Sequence, residues 1–133
     1  MDLTLCVYPR GGDTVVRIEG QIDLCVADSL REVLLRITRV HGARLLLDLS
    51  AVSFLDCAGL RALVLTLRHA ELHGGSMHLI AASAVTRRII TLSGREDVLP
   101  IRDQDGNSGT STSCQPEQPE YYVIDPSWIQ CAH

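Results

Sequence analysis

The chain has 133 residues, twelve arginines and no lysine, with 46% hydrophobic and 21% charged residues, the size and composition of one globular domain. Without lysine there is no Walker A loop, no kinase strand lysine, no Schiff-base lysine and no Ser-x-x-Lys hydrolase. Residues 1–101 balance eleven arginines against eleven acids, so the net charge of −4 comes from one arginine and five acids in 102–133; a neutral domain with an acidic tail lacks the basic footprint of a nucleic-acid binder. Apolar runs are short, such as Leu45-Leu46-Leu47, and Met1-Asp2-Leu3-Thr4 has no secretory n-region, so the expected compartment is the cytoplasm, with no membrane insertion.

In chain order, Leu3–Tyr8 alternates apolar and other residues, Pro9–Asp13 is a turn, and Thr14–Gly20 resumes with β-branched residues, which predicts a hairpin. From Val26 the apolar residues Ala27, Leu30, Val33, Leu34, Ile37 and Val40 recur at helical steps, ending at His41-Gly42. Leu45–Leu49 reads as a strand covered on both faces. A second helix begins near Asp56, with Leu60, Leu63, Val64 and Leu67 on one stripe, and Gly74-Gly75 stops it. Met77–Ala81 is another strand. Ser83 caps a short helix through Thr91, with Val85, Ile89 and Leu92 inward and Arg87-Arg88 outward, and a last short strand is expected near Val98–Ile101. Helix-connected strands are normally parallel, so the expected fold class is α/β: a mixed four- to five-stranded sheet with helices mainly on one side, plus a flexible C-terminal tail.

The domain is expected over 1–101. Residues 102–133 read as an acidic, disordered tail, because Gln104–Ser113 offers nothing to fill a core. Within it, Tyr121–Ile129 holds three of the five aromatic rings. That segment either docks, on its own domain or on a partner, or is incidental.

The window Leu46–Leu60 carries the most information. A strand is followed by the connector Ser50–Leu55 and a helix whose first turn holds Asp56 and the small residues Cys57, Ala58 and Gly59. Asp56 can cap the free N–H groups there. The small residues either admit another protein closely or fit tight packing against the sheet. His69 and His73, four apart, have metal-pair spacing but lie opposite the core stripe and read as exposed. The five cysteines have no C-x-x-C spacing and read as independent free thiols, and no metal or cofactor is expected.

Asp48-Leu49-Ser50 followed by Phe54-Leu55-Asp56-x-x-Gly59-Leu60 resembles the phosphorylation-loop motif of the STAS family, and Gly20-Gln21-Ile22-Asp23 with Ala27 and Leu30 resembles its strand-to-helix segment. Gly74-Gly75, Leu79, Ile80, Val85, Ile89 and Ser93-Gly94 are similar to its C-terminal third. The resemblance implies a non-enzymatic bacterial anti-sigma factor antagonist. Its partner would be an anti-sigma factor of the histidine-kinase-like serine kinase class, whose capture releases a sigma factor for transcription. It also implies a partner surface of Asp23, Asp56, Cys57, Ala58, Gly59, Leu60 and Arg61, with Asp23 equally readable as a helix cap.

In the family, phosphorylation of a serine or threonine directly after the motif's aspartate switches binding off. Here Cys57 and Ala58 carry no hydroxyl. Three consequences compete: constitutive binding, an oxidisable switch at Cys57, or a scaffold role such as a subunit of a membrane lipid-transport ATPase.

Overall fold

The computed structural model describes residues 3–94, 99 and 120–124. Two antiparallel strands, β1 (Leu3–Arg10) and β2 (Asp13–Ile22), form the expected hairpin. They are followed by α1 (Leu24–His41), β3 (Arg44–Leu55), α2 (Cys57–Leu72), β4 (Ser76–Ala82), α3 (Ala84–Leu92) and β5 (Glu120–Ile124). The strands make one mixed sheet in the order β4-β3-β2-β1-β5, with β2, β3 and β4 parallel. Both crossovers step in the same direction along the sheet, so right-handed connections carry α1 and α2 to the same face, where they pack together.

That face holds the core. Along β1 every second residue (Leu3, Leu5, Val7) is buried while its neighbours stay half-exposed, and Leu45, Leu47 and Leu49 continue the pattern on β3. Leu30, Leu34 and Ile37 of α1 and Leu60, Leu63, Val64 and Leu67 of α2 complete an aliphatic cluster, as their helical spacing predicts. Close approach at the α2–β4 turn depends on Gly75, where a Cβ would collide with the Ala43 carbonyl oxygen. That carbonyl accepts the Ser76 N–H at 2.8 Å and sets the start of β4.

The helix ends depart from the expected stripes. Val40 is 64% exposed and Leu92 72%, and Val85 also faces solvent; Thr86 and Ile90 are the buried residues of α3, with Ile89 packed against the core. Thr86 can turn inward because its hydroxyl meets Ser83 Oγ at 2.9 Å, so that buried hydroxyl keeps a partner. Of the strand expected at 98–101, Leu99 is buried and the other residues lie outside the described residues.

Within the segment read as a tail, Glu120–Ile124 docks on its own domain. It pairs antiparallel with β1, Leu3 opposite Ile124 and Val7 opposite Glu120, and so covers what would be an open sheet edge. Ile124 is buried in the core and Tyr122 packs against it. Glu120 anchors the start of the strand: its Oε2 lies 3.1 Å from His41 Nε2 at the end of α1 and accepts the Tyr122 hydroxyl at 3.0 Å.

The hydrogen bond from His41, and then that from Tyr122, hold the Glu120 carboxyl below its ordinary value of 4.5. A depressed carboxylate pKa means the contact contributes fully above pH 4.5 and is lost as pH falls through the lower folded value. Protection of the Tyr122 and Val123 amides, taken as exchange relative to the intrinsic rate at each pH, should therefore fall on acidification below that point, and Glu120→Gln should remove this pH dependence of the protection. A pH profile unchanged by that substitution would reject the anchor.

Candidate functional site

The segment Ser50–Leu55, expected to be a connector, instead continues β3 as far as Leu55, because it keeps pairing with β2, and its polar residues supply further hydrogen bonds locally. Asp48 Oδ1 accepts both the Ser50 N–H (3.0 Å) and the Ser50 hydroxyl (2.6 Å). These bonds lie beside the register shift between β3 and β4 at Leu47/Asp48. Beyond it β3 continues alongside β2 alone, through register shifts at Arg17/Glu19 and Gly20/Gln21, and Ser53 Oγ donates to the Gly20 carbonyl at 3.2 Å. Gly20 itself has φ +125°, which glycine alone adopts readily. The irregularity ends with Ile22 opposite Leu55, so β2 and β3 release α1 and α2 side by side.

Each helix start is capped by an aspartate. Asp23 Oδ1 accepts the N–H groups of Cys25 (3.0 Å) and Val26 (3.3 Å), the capping role its position suggests. Asp56 does more than cap. Its Oδ1 accepts Gly59 N–H at 2.8 Å, its Oδ2 accepts Leu24 N–H at 3.0 Å, and its own N–H donates to the Ile22 carbonyl at 3.2 Å. One half-buried carboxylate thus ties the first turn of α2 to the first turn of α1 and places negative charge where two helix dipoles present positive ends.

The small residues divide between the two readings of them. A Cβ on Gly59 would lie 2.6 Å from Ile22 Cγ2, 2.8 Å from the Ile22 carbonyl oxygen and 2.8 Å from Leu55 Cδ1, so Gly59 serves tight packing. Leu60 is also buried beneath the surface. Cys57 is an exposed free thiol, Ala58 is half-exposed, and Arg61 is exposed. Asp23, Asp56, Cys57 and Ala58 are therefore brought to one end of the sheet, with Gly59 and Leu60 shaping the floor.

Two apolar side chains border this turn: Leu24, 72% exposed at the first position of α1, and Phe54, 45% exposed at the end of β3. Leu24 has no warning in the sequence, because it stands three residues before Ala27, in phase with the buried stripe, yet the helix has only just begun and nothing among the described residues covers it. Phe54 belongs to the motif, but its outward placement is seen only in its exposure at the end of β3, where it stands opposite Gln21.

The remaining candidates form no second site. The His69 and His73 rings stack with centroids 4.2 Å apart, and His73 Nδ1 lies 2.9 Å from the His69 carbonyl oxygen, which occupies it at the helix end. No group of three or more metal-capable side chains occurs among the described residues. Cys6 is a free thiol like Cys57, whereas Cys25 is disulfide-bonded, against the expectation of independent thiols.

Residues 6–106 match the profile described as the STAS domain. The chain is 37% identical over 94 residues to the anti-sigma-F factor antagonist RsfB of Mycobacterium tuberculosis, covering 69% of this chain and 75% of that protein. It is 33% identical over 101 residues to the anti-sigma-B factor antagonist of Bacillus subtilis, covering 76% and 92%. Among solved structures, an anti-sigma factor antagonist from Mycobacterium paratuberculosis superimposes with a TM-score of 0.68 at 28% identity, covering 84% of this chain and 95% of that one.

Proposed function

The chain belongs to the STAS domain family, and from that premise we propose that it is an anti-sigma factor antagonist, a binding protein that captures an anti-sigma factor and thereby frees a sigma factor. The observation that carries the reading is the turn held by Asp56, which presents Cys57 and Ala58 between the exposed side chains of Leu24 and Phe54. Such a surface suits a protein partner: apolar side chains at its borders, short side chains between them that permit close approach, and carboxylates already satisfied by the two helix starts.

The finer reading is that the partner is a serine kinase of the histidine-kinase-like class and that this antagonist escapes its control. A phosphate in this turn would add about −1.5 to −2 charges to a packed interface. Cys57 keeps the volume of serine and offers no hydroxyl for the phosphate. Binding is then constitutive and set by abundance.

The test immobilises the full chain, captures partners from the host lysate, and adds labelled ATP to the recovered complex. Recovery of a histidine-kinase-like ATPase is expected, with no label on the wild-type chain and label at position 57 in Cys57→Ser. Recovery of transporter subunits without such a kinase would replace this reading with the scaffold role. Label on the wild-type chain would show that another hydroxyl has taken over the switch.

A further inference from the structure

Among themselves the leftover sequence candidates form no second site, but Cys6 lines a cavity with residues that no motif singles out. On β1 and β2 the buried Leu3, Leu5 and Ile18 alternate with Thr4, Cys6, Arg17 and Glu19, which therefore face away from the core. The register sets Thr4 opposite Glu19, and Cys6 opposite both Arg17 on β2 and Tyr121 on β5. These five side chains line a cavity of about 200 Å³ on the outer face of the sheet.

The nucleophile in the cavity is the Cys6 thiol, free and half-buried. The Tyr121 hydroxyl is hydrogen-bonded to it, and that bond pushes the tyrosine's pKa up from its ordinary 10.0, as donation to a sulfur does. The charges are the Arg17 guanidinium and the Glu19 carboxylate, two residues apart on one face of β2, so that their Cβ atoms lie ~7 Å apart. Neither makes a hydrogen bond or ion pair among the described residues, although Asp48 stands opposite Arg17 in the register. An unpaired cation and an unpaired anion beside a thiol match the carboxylate and ammonium of an amino acid that itself carries sulfur.

We propose that this cavity is a reversible S-thiolation site, in which Cys6 forms a mixed disulfide with a small zwitterionic thiol such as cysteine, while Arg17 holds the ligand's carboxylate and Glu19 its ammonium. The step is thiol–disulfide exchange with the ligand's own disulfide. The Cys6 thiolate attacks one sulfur, the ligand's S–S bond breaks, and the departing half leaves as a thiolate that takes up the proton Cys6 gave to solvent. One thiol and one disulfide are consumed and one of each is formed, so no other oxidant is needed and excess thiol reverses the step. The site shares no residue with the turn at Asp56, and the inference stands independently of the anti-sigma factor reading.

The experiment incubates the full chain with cystine and, separately, with cystamine, whose halves carry the ammonium but no carboxylate, and locates adducts by peptide mass mapping without reduction. The cystine adduct at Cys6 should form about fivefold faster than the cystamine adduct, the scale set by exposed ion pairs, and dithiothreitol should remove it. Arg17→Gln should bring the two reagents within about twofold of each other at Cys6, and Glu19→Gln should slow both by about twofold. Arg17 and Glu19 are exposed, so both variants should fold as the parent does. Adducts at the exposed Cys57 with none at Cys6, equal rates of the two reagents at Cys6, or a cystine preference that survives Arg17→Gln would each overturn the proposal.

Discussion

Gly59→Ala should destabilise the chain by about 2–3 kcal/mol, although alanine is the better helix former by about 1 kcal/mol. The sign follows from what the new Cβ would meet. Ile22 Cγ2 and Leu55 Cδ1 belong to side chains that can shift, but the Ile22 carbonyl oxygen, 2.8 Å away, is backbone and already accepts the Asp56 N–H. Moving it lengthens the bond that seats α2 against β2 and disturbs the Asp56 bridge to Leu24. The clash therefore outweighs the propensity gain.

Thermal unfolding would read this as a Tm lowered by about 10 °C or more for a domain of this size. Gly12→Ala is the control, since nothing lies within 4 Å of its Cβ position; it should stay within about 0.5 kcal/mol of the parent. Equal melting of the Gly59→Ala and parent chains would show that the first turn of α2 has slack, and the surface above it would lose its fixed floor.

Gly59 also shows where sequence reasoning stops. Its place after Asp56-x-x was legible, as were the helix stripe from Leu60 to Leu67 and the caps at Asp23, Asp56 and Ser83, because these depend on spacing within one element. What the residue touches depends on β2, thirty-seven positions upstream, and no local pattern reports that. The Asp56–Leu24 bond is of the same kind, a contact between two helix starts that only the β2–β3 register brings together.

The helix ends misled for a related reason. Periodicity continues through Val40 and Leu92, but the core does not extend that far, so in-phase apolar residues finish in solvent. The strand at 120–124 was hidden by distance: its partner is at the opposite terminus, and five residues with mixed exposure carry little period. Its aromatic content was the signal available, and that signal did not choose between its own domain and a partner.

Ala58→Arg should weaken binding of the anti-sigma factor by at least a hundredfold, about 2.7 kcal/mol, while leaving the fold in place. Ala58 is half-exposed in the first turn of α2, between an exposed thiol at Cys57 and the buried Gly59. At a solvated position with room outward, a longer side chain costs the free protein little, within about 0.5 kcal/mol. In the complex the same guanidinium would occupy the space that short side chains leave for the partner, and burying it unpaired costs far more than the lost contacts of one methyl group.

The effect is therefore selective for the bound state, which separates it from Gly59→Ala, whose damage is felt first by the fold. Ala58→Ser provides the volume control: it adds one oxygen, keeps the close approach, and should bind within a fewfold of the parent. Calorimetric titration of the three chains against the captured partner decides the matter, with melting curves as the check on folding. Parent-like affinity for a folded Ala58→Arg chain would move the interface away from the α2 turn.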